Sequence, residues 1–79
     1  MAPLSPALTL YQRDDCHLCD LALAVLAEAR VPDFESAFID GDDDLEARYG
    51  VRVPVLRRAD GAELDWPFDV AGLARFLAG

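Results

Sequence analysis

The sequence predicts one α/β domain, a four-stranded mixed sheet flanked by three helices in the order β-α-β-α-β-β-α. Three observations carry this expectation. A compact apolar run leads directly into a long helix of 3.6-residue period, a second apolar run follows that helix, and a hairpin signal precedes a final amphipathic segment. The 79 residues suffice for a single small domain, and the 53% that are hydrophobic supply its core. The expected boundaries are 1–79, with 1–6 as a short N-terminal arm.

Met1 to Pro6 carries two prolines and leads into the first element. Ala7-Leu8-Thr9-Leu10-Tyr11 is short and apolar enough for a strand buried on both faces, and Gln12-Arg13-Asp14-Asp15 breaks it. Leu18, Leu21, Ala22, Val25, Leu26 and Ala29 then recur at helical spacing, in a segment rich in strong helix formers. Arg30 suits the negative end of that helix, and Pro32 stops it. Phe34 to Asp40 is the second strand candidate, with Phe34 and Phe38 on one face.

Asp42 is placed to cap a short helix running through Leu45, Glu46, Ala47, Arg48 and Tyr49, which Gly50 ends. Val51, Val53 and Val55 alternate through a third strand. Asp60-Gly61 reads as a two-residue hairpin turn between Arg57-Arg58 and Glu63-Leu64. From Asp69 to Leu77, Val70, Leu73, Phe76 and Leu77 share one helical face, with Asp69 as the cap. Strands joined by a helix pair in parallel through a right-handed crossover, and the hairpin adds two antiparallel strands.

Charge and cysteine content remove several function classes. Seven arginines, no lysine and fifteen acids give a net charge of −8, which leaves no basic stripe for tracking phosphates. The charge confers solubility, and its functional reading is a preference for partners with basic surfaces. Hydrophobicity is too high for intrinsic disorder, and no apolar run approaches the ~20 residues of a membrane helix. No basic segment precedes an apolar core, so a secretory signal is not expected and the expected location is the cytoplasm. Two cysteines are too few for a disulfide-stapled scaffold.

Their spacing carries the chemistry. Cys16-His17-Leu18-Cys19 joins the first strand to the long helix, and residues three apart on a first turn face the same way. Modest adjustment brings such a pair into disulfide range. Cys16 lies where unsatisfied N–H groups and the helix dipole favour an anion, and the thiolate is the attacking species. Cys19, one turn inside, is the natural resolving thiol. Asp14, Asp15 and Asp20 oppose a negative sulfur by like charge. His17 either supports the Cys16 thiolate or fills the space between the cysteines. With only Cys16, Cys19 and His17 crowded together, a single-chain structural zinc lacks ligands, and no metal site is expected.

From Leu8 to Leu77 the chain resembles a glutaredoxin-like protein of the thioredoxin superfamily. Cys16-His17-Leu18-Cys19, Tyr49-Gly50-Val51-Arg52-Val53-Pro54 and the closing hairpin and helix carry the likeness. The resemblance implies that Pro54 is cis and faces the redox pair, and that Val53 hydrogen-bonds the main chain of a bound thiol peptide as an added strand would. It gives Arg13, three positions before Cys16, to the glycine carboxylate of glutathione, and matches Asp69 to an acid at the start of the last helix. The chain departs from the pattern at four places. His17 replaces the usual proline, Leu18 an aromatic residue and Arg52 a threonine, and Trp66-Pro67-Phe68-Asp69 stands where a Gly-Gly pair seats the γ-glutamyl group. Trp66 and Phe68 resemble the segment of redoxins that draw electrons from thioredoxin reductase.

The expected activity is thiol–disulfide exchange. Cys16 attacks a protein or glutathione mixed disulfide, and Cys19 displaces the reduced product. No tightly bound cofactor is expected, glutathione being a co-substrate. The expected partners are a disulfide-bearing protein or glutathione and a reductase, with no nucleic acid or membrane, and the protein itself is expected to be a monomer. Two other readings stay open: a dimer bridged by an iron–sulfur cluster through Cys16 and glutathione, and a redox-silent binding module.

Overall fold

The structure is a computed structural model, and it describes residues 8–31 and 33–78. The N-terminal arm, Ala7 at the head of the first strand and the Pro32 helix stop lie outside the described residues. Seven elements follow in the expected order: β1 (Leu8–Gln12), α1 (His17–Glu28), β2 (Glu35–Phe38), α2 (Asp43–Tyr49), β3 (Val55–Arg58), β4 (Glu63–Asp65) and α3 (Val70–Ala78). The strands form one sheet in the order β2-β1-β3-β4. β1 runs parallel to β2 and antiparallel to β3, which pairs antiparallel with β4.

Alternation along the strands divides the core into two halves. Leu8 and Leu10 of β1 and Leu56 of β3 point to one side, where they pack with Ala22 and Leu26 of α1 and Leu73 of α3. Val55 points to the other side, where it meets Ile39 and Tyr49 of α2, with Tyr11 packed against them. The sheet is thus sandwiched, α1 and α3 on one face and α2 on the other. Among the described residues, no helix is long and apolar enough to cross a membrane.

Local signals place the helix ends. The Asp42 carboxylate accepts the Leu45 N–H at 3.1 Å, and Asp69 accepts the Gly72 N–H at 2.7 Å, so both expected caps form. α1 closes with the Val31 N–H donating to the Leu26 carbonyl, which places Arg30 at φ 59°, where glycine is the usual residue.

The strands differ from expectation in four places. β1 continues through Gln12, which is buried and pairs with Phe38. β2 is shorter than Phe34–Asp40; Phe34 precedes it and packs on the first core, while Phe38, at the strand's end opposite Gln12, is 52% exposed. Of the three alternating valines only Val55 is in a strand. The chain turns after α2 with the Arg52 and Val53 N–H groups both donating to the Tyr49 carbonyl, which leaves Val51 in solvent. The hairpin loop is a three-residue one, Ala59-Asp60-Gly61, with Gly61 at φ 93° and the Arg58 N–H donating to the Ala62 carbonyl.

Candidate active site

Strand register gathers four loops at one end of the sheet. Tyr11 near the end of β1 lies opposite Val55 at the start of β3, Gln12 opposite Phe38 at the end of β2, and Val55 opposite Asp65 at the end of β4. The segments after β1, β2 and β4 and the one before β3 therefore share an edge. Cys16 and Cys19, Val53-Pro54 and Asp69 are carried to it by separate elements. The Val53–Pro54 peptide bond is cis, as the resemblance implies. Trp66–Pro67 is cis as well, with no counterpart among the expectations above. Pro54 is buried, and its carbonyl accepts the Trp66 N–H at 3.2 Å.

Cys16 is itself the N-cap of α1. Its backbone is extended, at φ −118° and ψ 110°, and its Sγ accepts the Cys19 N–H at 3.2 Å. Sulfur thereby takes the place of the usual serine or aspartate oxygen, satisfying one of the helix's unpaired donors. Both cysteines are free thiols. They are not equivalent, because Cys16 is part-exposed whereas Cys19 is only 1% exposed. Burial pushes the Cys19 thiol up to about 11, with Cys16 and Asp20 adding to the rise and the Arg13 backbone opposing it.

The loop between β1 and α1 is tied to its neighbours. The Asp14 N–H donates to Asp40 Oδ1 at 2.8 Å, and the Asp15 N–H to Asp14 Oδ1 at 3.1 Å, with Asp15 at φ 55°. Arg13 forms a two-pronged bond to Glu46, at 2.8 and 2.6 Å, and a third bond to the Gly50 carbonyl at 3.0 Å. That pairing raises the arginine and holds the Glu46 carboxyl below its ordinary value. Gly50 lies against the last turn of α2, where a Cβ would collide with the Glu46 carbonyl oxygen.

The residues named from sequence thus have unequal surroundings. Arg13 is occupied by Glu46 and Gly50. The Val53 N–H is spent on the Tyr49 carbonyl, and Asp69 is spent on its own helix. His17, the first residue of α1, is exposed. Beside Asp69, Leu64, Pro67, Phe68, Gly72 and Arg75 line an open groove of about 460 Å³. Trp66 and Phe68 meet edge to face with ring centroids 5.0 Å apart. Among the described residues, no group of three or more His, Cys, Asp or Glu side chains is placed to hold a metal ion.

One network escaped the sequence reading. Arg52 binds Asp65 through two bonds, at 2.9 and 2.7 Å, and Glu63 at 2.7 Å, while its guanidinium lies 5.2 Å from the Tyr49 ring centroid. The Tyr49 hydroxyl donates to Glu63 at 2.6 Å, and its ring stacks on Tyr11 at 4.3 Å. This brace pins the turn before Pro54 to β4. Its only sequence signal was an arginine where the resemblance has a threonine.

Residues 7–78 match the family model described as Glutaredoxin-like domain (DUF836). The X-ray structure of the Northeast Structural Genomics target protein XcR50 from X. campestris is 62% identical; the match covers 91% of this chain and 96% of that one, with a TM-score of 0.88. The solution structure of the same target gives 62% identity, 92% and 94% coverage and a TM-score of 0.86. The solution structure of Ne2328 from Nitrosomonas europaea is 29% identical over 96% of this chain and 98% of that one, with a TM-score of 0.73. No curated protein matches. The fold is thioredoxin-like α/β.

Proposed function

From the membership of this chain in the glutaredoxin-like domain family, we propose that it is a small thiol–disulfide oxidoreductase working through Cys16 and Cys19. The observation that supports this reading most is the inequality of the two sulfurs. One is part-exposed at a helix head with an amide N–H aimed at it, and the other is buried one turn inside. A nucleophile must be reachable, and its negative form is favoured by N–H donors. A resolving thiol must wait, and burial keeps Cys19 protonated at neutral pH.

The Cys16 thiolate attacks one sulfur of a protein disulfide or glutathione mixed disulfide. A Cys16–substrate S–S bond forms, the original S–S bond breaks, and the departing thiolate takes a proton from solvent. Cys19 then gives up its proton to solvent and attacks Cys16 Sγ. The second substrate thiolate leaves, and a Cys16–Cys19 disulfide remains. Two electrons have passed to the substrate, and an external dithiol reductase or two molecules of glutathione return them.

Mass spectrometry of the Cys19→Ser variant treated with oxidised glutathione tests the order of events. A glutathione adduct should accumulate on Cys16, while wild-type protein passes on to the internal disulfide. Absence of any adduct on Cys16, with this or another disulfide, overturns the reading. Turnover supported by glutathione and glutathione reductase, compared with turnover supported by thioredoxin reductase, identifies the electron donor.

A further inference from the structure

Charge is distributed unevenly between the two ends of the sheet. The end that carries Cys16 holds exposed Asp14, Asp15, Asp20 and Asp40 and the run Asp42 to Asp44 at the head of α2. Two acidic loops are held side by side there, because the Asp14 N–H is bonded to the Asp40 carboxylate. The arginines of that end do not offset them. Arg13 is closed on Glu46, and Arg52 on Glu63 and Asp65. Of the other arginines, Arg48 is exposed in the last turn of α2 beside the Tyr49 ring, Arg57 lies on β3 next to Tyr49 and Tyr11, Arg30 lies beyond the last turn of α1, Arg58 against Asp60 in the hairpin loop, and Arg75 in the last turn of α3. Even with Arg48 counted, the seven aspartates therefore leave a negative field around the part-exposed sulfur.

We propose that this field selects the substrate, and that Cys16 reacts preferentially with disulfides carried by basic segments and disfavours anionic ones such as oxidised glutathione. The inference rests on the reading of Cys16 as the attacking sulfur. Clefts lined by one sign of charge raise the local concentration of the opposite sign, changing encounter rates by about 10–10³-fold. The thiolate adds its own negative charge as it attacks, so an anionic disulfide meets repulsion from both the rim and the sulfur. Arg13, three positions before Cys16, is neutralised by its bond to Glu46. Arg13 with Glu46 thus acts as a neutral brace, leaving the aspartates to set the sign.

The test uses the Cys19→Ser variant, so that only capture by Cys16 is read, and three small symmetrical disulfides: cystamine (cationic), hydroxyethyl disulfide (neutral) and oxidised glutathione (anionic). Each rate is divided by the rate of the same disulfide with a small neutral thiol, which removes differences in intrinsic reactivity. At about 10 mM salt, where a charge acts over ~30 Å before it is screened, cystamine should exceed oxidised glutathione by about tenfold or more. At about 1 M salt the ratio should collapse toward one. Adding Asp14→Asn, Asp15→Asn and Asp20→Asn should lower the ratio at low salt. A ratio near one at low salt, or one that salt leaves unchanged, overturns charge selection while leaving Cys16 as the nucleophile. Failure of all three disulfides, the neutral one included, overturns the nucleophile reading and this inference with it.

Discussion

The resolving step should accelerate steeply with pH. The Cys19 thiol is held at about 11 by burial, against an ordinary 9.0. At pH 7 about one molecule in 10⁴ then carries the Cys19 thiolate, and at pH 9 about one in 10². Only that fraction attacks Cys16 once a substrate is attached, so the rate should rise about tenfold per pH unit. Capture itself alters the figure. The charge and hydrogen bond of Cys16 contribute to the rise, and both change when Cys16 Sγ becomes part of a disulfide, whereas burial stays. The midpoint for resolution should therefore lie between 9.0 and about 11. Ellman's reagent separates the two events, since one nitrothiobenzoate leaves on capture and a second on resolution. The second phase, followed by stopped-flow absorbance from pH 6 to 11, should have a logarithmic slope near one until its midpoint. A midpoint at or below 9.0, or a flat profile, refutes the argument that burial governs Cys19.

Two further predictions concern stability. Arg52→Gln removes the ion-pair partner of Glu63 and Asp65, leaving Glu63 its Tyr49 bond, and should cost about 1 kcal/mol at pH 7 in urea unfolding, a small figure because these pairs are partly solvated. Asp65 is held below its ordinary value by Arg52, and Glu63 by the Tyr49 hydroxyl and then Arg52, so the contribution of Arg52 is present above the ordinary carboxylate range and fades as pH falls through the lowered values. The gap between variant and wild type should accordingly narrow below about pH 4. Arg30→Gly should stabilise the protein by about 0.5–1 kcal/mol in the same assay, because Arg30 occupies a left-handed conformation that glycine adopts without a Cβ penalty.

The order of all seven elements was legible because each rests on local chemistry: the compact apolar run of β1, the helical spacing from Leu18 to Ala29, and the capping aspartates 42 and 69. The cysteine motif was legible for the same reason, since Cys16 to Cys19 spans one turn. What escaped depends on partners distant in the chain. Arg13 and Glu46 are separated by 33 positions, and nothing near Arg13 announces that its charge is taken. Arg52 and Asp65 are separated by 13, and they meet only because β3 and β4 pair in one register. The valines from 51 to 55 misled for a different reason. Their alternation is real, yet Arg52 and Val53 complete a turn on Tyr49 before the strand begins at Val55. Competition between a helix-ending turn and a β pattern is decided by packing that a short window does not contain.

An oxygen cap is chemically inert for the life of a protein, but the cap of α1 is a sulfur that the proposed chemistry would repeatedly bond and release. The backbone proton of Cys19 therefore belongs to two ledgers at once, that of helix fraying and that of electron traffic. It donates best to a bare sulfur anion and less well to one shared with a captured molecule. Deuterium uptake at that single amide would act as an intrinsic gauge of oxidation state, written into the opening turn of the helix.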